Sequence, residues 1–157
     1  EQTAALRAAA FDRGALGTAA ELLGLAQWML DTTVEYAKVR TQFGRAIGSF
    51  QAVKHHLADA LLKLEFAKPM VYRAAYALAG NESDASLHIS GAKAYASEAA
   101  SFVARKALQV HGAIGYSDEY DLHMWMKRTW ALAASWGDAA WHRERVAEYV
   151  LDGGSNG

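Results

Sequence analysis

Arg40, Gln42, Phe43, Gly44, Gly48, Ser49, Phe50 and Gln51 fall in a short break between two alanine-rich, helix-forming stretches. Two readings of that break are open. In the first it is a packing junction: Gly44 follows a helix end, Ser49 caps the next helix, and Phe43 and Phe50 staple the two together. In the second it is an anion or cofactor site. An arginine ending one helix and the free N–H groups opening the next can converge on a phosphate. The guanidinium supplies a forked donor and the helix terminus the positive end of a dipole. Gln51, one turn into the next helix, adds an amide able to read a ring edge.

A second cluster favours a ligand. "QVHGAIGY" (Gln109 to Tyr116) closes another helical stretch with a glutamine, two glycines and an aromatic. Glycines there let backbone approach a bound molecule closely. Two glutamine-bearing, glycine-broken helix ends in one chain are more than packing requires.

The elements that hold these clusters are helices. Leu16, Ala19, Leu23, Ala26, Leu30, Val34 and Ala37 recur at three and four residues and predict a helix near 15–40. Phe50, Val53, Leu57, Leu61, Leu64, Val71 and Leu78 predict a second near 50–79, with a kink near Leu64 to Ala67 ahead of Pro69. Gly80 suits a left-handed residue after that helix, and Ser83 or Asp84 a cap for the next. Ala85, Ile89, Ala92, Ala96, Ala99, Val103, Ala107 and Val110 form a third stripe, narrow and built of small residues. After a loop at His111 to Asp121, "LHMWMKRTWALAAS" reads as a fourth helix ended by Gly137. Asp138 caps a last one running to about Leu151. The expected fold is all-α, an up-and-down bundle of the four-helix type. Residues 1–13 are expected as a flank, 14–151 as the single domain and 152–157 as a disordered tail.

Bulk properties narrow the function. The 157 residues suffice for one domain with a sizeable core. A formal net charge of −1 leaves no electrostatic footprint for nucleic acid or an anionic membrane. With no cysteine there is no disulfide or thiolate metal site, which suits a reducing, cytoplasmic setting. No apolar run approaches the roughly 20 residues of a membrane span. The start lacks both Met and the order of a signal peptide, as a processed or truncated chain would. The histidines show no ligand spacing: His55 and His56 are adjacent, about 100° apart on a helix. No metal is expected.

"YAKVRTQFGRAIGSFQAVKHHLADALL" and "ALQVHGAIGYSDEYDLHMWMKR" resemble the C-terminal helical domain of acyl-CoA dehydrogenases. The pattern Tyr-x-x-x-Arg-x-x-Phe-Gly-x-x-Ile-x-x-Phe-Gln is present at Tyr36, Arg40, Phe43, Gly44, Ile47, Phe50 and Gln51. Gln-x-x-Gly-x-x-Gly-Tyr follows at Gln109, Gly112, Gly115 and Tyr116, and the late Lys-Arg at Lys127 and Arg128. The resemblance implies FAD held between this bundle and a preceding β-domain, an acyl-CoA substrate, and a homo- or hetero-oligomer, dimer or tetramer. It assigns Arg40, Phe43, Gln51, Gln109 and Gly112 to the flavin's pyrophosphate and adenosine across a subunit boundary. Ala113 stands where the family commonly has a second glycine.

The reaction the resemblance implies is α,β-dehydrogenation: a glutamate takes the α-proton and flavin N5 accepts the β-hydride. Family members place that glutamate either in the turn before the last helix or early in the first helix. Here those positions hold Trp136 and Gly14, so no catalytic residue is expected. The expected protein is thus one chain of an unlike-subunit dehydrogenase, of the kind that acts on steroid or other bulky acyl-CoA esters. The alternatives are a scaffold bundle that lost flavin, or a relocated base, with Glu21 the first candidate. Asp138 is expected to cap and Glu119 to form a loop salt bridge.

Overall fold

The computed structural model describes residues 2–151, so the tail expected over 152–157 and residue 1 of the flank lie outside the described residues. Three long helices, α1 (Gln2–Val39), α2 (Gln51–Ala79) and α3 (Ala85–His111), are followed by two short ones, α4 (Leu122–Ala134) and α5 (Ala139–Leu151). The all-α bundle is therefore as expected. α1 starts far ahead of residue 15: residues 2–8 are exposed and so carry no apolar stripe from which a helix could be read.

α3 is the central helix and touches all four others. It buries alanines at 92, 94, 96, 99, 100, 104 and 107, whose small side chains let neighbouring backbones come close. Larger residues fill the space left, chiefly Leu22, Met29, Leu64, Ile89, Val103, Leu122 and Met126. The small-residue stripe is thus consumed inside the bundle, not offered to a second subunit. Apolar surface remains on α2, at Leu62, Phe66, Tyr72 and Tyr76, and at Trp28, Trp130, Trp136 and Trp141. α2 runs on through Pro69 without interruption.

Polar groups fasten the far end of the bundle. Asp12 on α1 is nearly buried and takes Arg145 Nη1 of α5 at 2.9 Å. Its second oxygen accepts from Ser86 Oγ, and Arg145 also reaches Ser90 Oγ at 3.3 Å.

Around α3, local caps differ from expectation at Gly80 and Asp84. Gly80 is right-handed (φ −80°) and still donates to Tyr76 O, so the left-handed residue is Asn81 (φ 52°). Asp84 stands at the α3 N-cap but aims its carboxylate at His88 Nε2, 3.1 Å away, instead of the backbone. Asp138 does cap: its Oδ1 accepts from Trp141 N at 2.8 Å.

Candidate functional site

The junction is not a plain helix-to-helix turn. Thr41–Gln42 (β1) and Arg45–Ala46 (β2) pair antiparallel, with Thr41 opposite Ala46 and Gln42 opposite Arg45. The two residues between them, Phe43 (φ 51°) and Gly44 (φ 80°), are both left-handed, as a tight hairpin turn of the primed type requires. Gly44 takes this conformation without strain; Phe43 does not. A single 3₁₀ turn, Ile47–Ser49, then leads into α2, capped by Phe50. Ser49 does not cap α2, because its hydroxyl donates to Ala46 O at 2.7 Å. A Cβ at Gly48 would lie 2.9 Å from Ala37 O, so only glycine lets this loop lie against the end of α1.

The hairpin leaves its tip in solvent. Phe43 is 92% exposed, and Arg40, Gln51, Gln109 and Gly112 are exposed as well. Phe43 and Gln109 line one groove of about 320 Å³, together with Gln42, Ile47, Phe50, Val53, His56 and Val110. Gln109 and Gly112 line an adjacent one of about 410 Å³ with Arg105, Leu108, Ala113 and Tyr116. Gln109 thus joins the two motifs, while Arg40 and Gln51 lie outside both linings. Both volumes fall within the ~300–1,000 Å³ usual for small-molecule sites.

These residues fit a dinucleotide's polar half. Arg40 makes no ion pair among the described residues. Phe43 and Phe50 meet edge to face at 6.2 Å and present apolar wall, and Gly112 (φ 67°) opens the backbone beside Gln109. Arg45, which the motif does not mark, sits over the Phe50 ring at 4.2 Å. Beneath the surface, Tyr36 of the first motif stacks on His111 at 4.3 Å, just before Gly112. His111 Nδ1 donates to Ala107 O at 2.8 Å, leaving Nε2 buried without a partner. Burial lowers its pKa below the ordinary histidine value, and the Ala107 bond opposes that shift.

The two positions at which the resemblance leads one to expect a base, 14 and 136, meet in space. A Cβ built on Gly14 would lie 2.5 Å from Trp136 Cε2, so the indole already fills the place of a side chain at residue 14. Phe11 packs on that indole edge to face at 5.9 Å. Trp136 itself is left-handed (φ 54°), and Gly137 after it likewise (φ 85°). His142 Nε2 donates to Trp136 O at 2.8 Å. Lys93 is fully buried below the same loop. Its ammonium reaches Ser97 Oγ (3.1 Å), Ala133 O (3.1 Å) and Gly137 O (3.0 Å). Desolvation lowers its pKa to about 8, against an opposing pull from Asp138. His142 is lowered too, first by burial, then by Lys93 and Arg145, with the Trp136 bond and Asp12 opposing.

The acidic candidates are engaged elsewhere. Glu21 Oε1 accepts from Arg128 Nε and Nη2 at 2.8 and 2.6 Å. Glu119 forms no salt bridge among the described residues; its amide donates to Ser117 Oγ at 3.2 Å. Glu82, Asp84 and His88 bring one ligand atom each within 4.8 Å of one another, a grouping not evident in the sequence. The Arg73 guanidinium already occupies Glu82 there at 2.5 Å. A further groove, about 620 Å³, lies apart from the hairpin between Lys63, Tyr95, Phe102, Trp130 and Asp138, and meets the Gly112 groove at Arg105.

Known proteins share this fold. The family profile "Acyl-CoA dehydrogenase, C-terminal domain" matches residues 4–151. The caffeyl-CoA reductase-Etf complex subunit CarC of Acetobacterium woodii is 47% identical over 109 residues, 69% of this chain and 28% of that protein. Among solved structures, the ChsE4-ChsE5 complex from Mycobacterium tuberculosis superposes with a TM-score of 0.86 at 30% identity, over 90% of this chain and 38% of that one. PigA with FAD and proline superposes with a TM-score of 0.84 at 30% identity, over 90% and 37%. The chain spans between about a quarter and two-fifths of the length of these relatives. No described helix is long and apolar enough to cross a membrane. With the motifs, the bundle and the matched profile in agreement, the chain belongs to the acyl-CoA dehydrogenase family, of which it forms the C-terminal domain.

Proposed function

We propose that this domain contacts FAD and a neighbouring subunit in an enzyme that dehydrogenates an acyl-CoA thioester, and that it brings no general base of its own. The observation that carries the reading is the groove shared by Phe43 and Gln109, which unites two distant motifs at one end of the bundle. Arg40 would hold the pyrophosphate through a forked contact, and Gln51, Gln109 and Gly112 the adenosine side. The flavin, when bound, supplies hydride acceptance. This chain's residues hold and orient it, and the exposed rings on α2 favour burial against a second subunit. PigA is known with FAD bound, and ChsE4 and ChsE5 form a complex, so both expectations have parallels among these relatives.

The missing base follows from the chemistry of the two positions. An indole and a hydrogen cannot take the α-proton, and Glu21 is tied to Arg128. On this reading the proton acceptor lies outside this domain. The test is the visible spectrum of the assembled protein after gel filtration. A retained flavin band that weakens in Arg40→Ala supports the reading. A colourless wild-type assembly would point instead to a scaffold that kept the fold and lost flavin.

A further inference from the structure

We propose that Lys93 is a positioning residue: gripping the α4–α5 loop from beneath, it drives the side chain at position 136 onto Gly14. Its ammonium bonds Ala133 O, in the last turn of α4, and Gly137 O, so one side chain holds both ends of the reversal. Between these anchors two successive residues are left-handed, and one of them is a tryptophan. Such backbone persists only where its surroundings over-determine it. The helix ends do not need Lys93. Ser135 Oγ already returns to Ala131 O at 2.8 Å, and Asp138 caps α5. What the lysine adds is the direction of the loop, with His142 taking the carbonyl of Trp136 from the other side. The inference rests on the proposed function only for the meaning given to position 136. The geometry stands without flavin.

The experiment is a set of thermal melts on the 157-residue chain, without cofactor. Gly14→Ala should lower the midpoint by about 5 °C, because its methyl meets the indole. In a Trp136→Ala background the sign should reverse to a gain of about 2 °C, since alanine is preferred to glycine within a helix. In a Lys93→Met background the penalty should fall to less than half, because the indole is no longer held in place. A lysine that serves only the general core would lower every midpoint and leave the Gly14→Ala penalty intact, and that result overturns the proposal. Should Lys93→Met fail to fold, Lys93→Gln, a shorter and uncharged donor that cannot span both carbonyls, takes its place under the same criterion. Flavin content of the assembled protein is read separately, so failure of the cofactor reading leaves this outcome unaffected.

Discussion

Arg128 of α4 lays two nitrogens, Nε and Nη2, on a single oxygen of Glu21 in α1, at 2.8 and 2.6 Å. Both side chains are partly solvated, at 58% and 41% exposure, so the pair fastens two helices lightly. Glu21→Gln should change stability by less than about 1 kcal/mol in denaturant titration. It should leave turnover of an assembled enzyme unchanged. Abolished turnover with intact folding would restore Glu21 as a relocated base.

Arg40→Ala in the assembled protein should weaken flavin retention by one to two decades, on the basis of roughly 1.5–3 kcal/mol for a charge-assisted bond. Arg40→Lys should recover only part, because an ammonium lacks the fork. Flavin-to-protein absorbance after gel filtration measures both. An unchanged ratio in Arg40→Ala rules out the clamp.

Burial lowers the pKa of His111 and His142, so the unfolded chain takes up protons at these sites first as pH falls. Their contribution to stability is complete above the ordinary histidine value of 6.5 and is lost as pH drops below it. Lys93, lowered from 10.5 to about 8, acts in the alkaline range. The unfolded lysine keeps its proton longer, so this residue's share of stability rises between pH 8 and 10.5. Urea titrations across pH should show the acid loss shrinking in a His111→Gln, His142→Gln double variant. The alkaline gain, on the order of 1–3 kcal/mol, should appear as the difference between wild type and Lys93→Met. Profiles parallel to wild type in these variants would refute the assignments.

The 157-residue chain alone should not dehydrogenate acyl-CoA. General-base catalysis alone contributes about 10²–10⁴ in rate, and Trp136 and Gly14 offer none. Trp136→Glu should not rescue the isolated chain, because nothing in it encloses the flavin ring. An anaerobic assay with added FAD and acyl-CoA esters of several lengths tests this through bleaching of the flavin band. Bleaching by the pure chain contradicts the prediction.

The bundle was legible in sequence because its helices bury one face and so print a period of three and four. The first turns of α1 were not, because residues 2–8 bury nothing and leave no period. The hairpin was hidden for another reason: its strands are two residues long, too short to alternate, and Phe43 takes a conformation its type disfavours. Periodicity found the small-residue stripe of α3 but not that the bundle surrounds it. Lys93 did leave a signal, a lone cation between Ala92 and Ala94 in an apolar stretch, where a buried charge must find partners. The contact of Trp136 with Gly14 left none in composition or spacing. Only the family pattern sets the two positions side by side as alternative base sites.

Phe43 gives the hairpin a thermodynamic character of its own. Its ring stands 92% exposed on a backbone that folding has already fixed in an unfavourable conformation. Ordering a loop at the moment of association normally subtracts from affinity. Here that ordering precedes association, so a surface closing over the ring gains apolar burial with little further loss of chain entropy. The hairpin tip is preorganised: Phe43→Ala would remove the anchor, and Phe43→Gly would remove it while relieving the strain of the left-handed backbone.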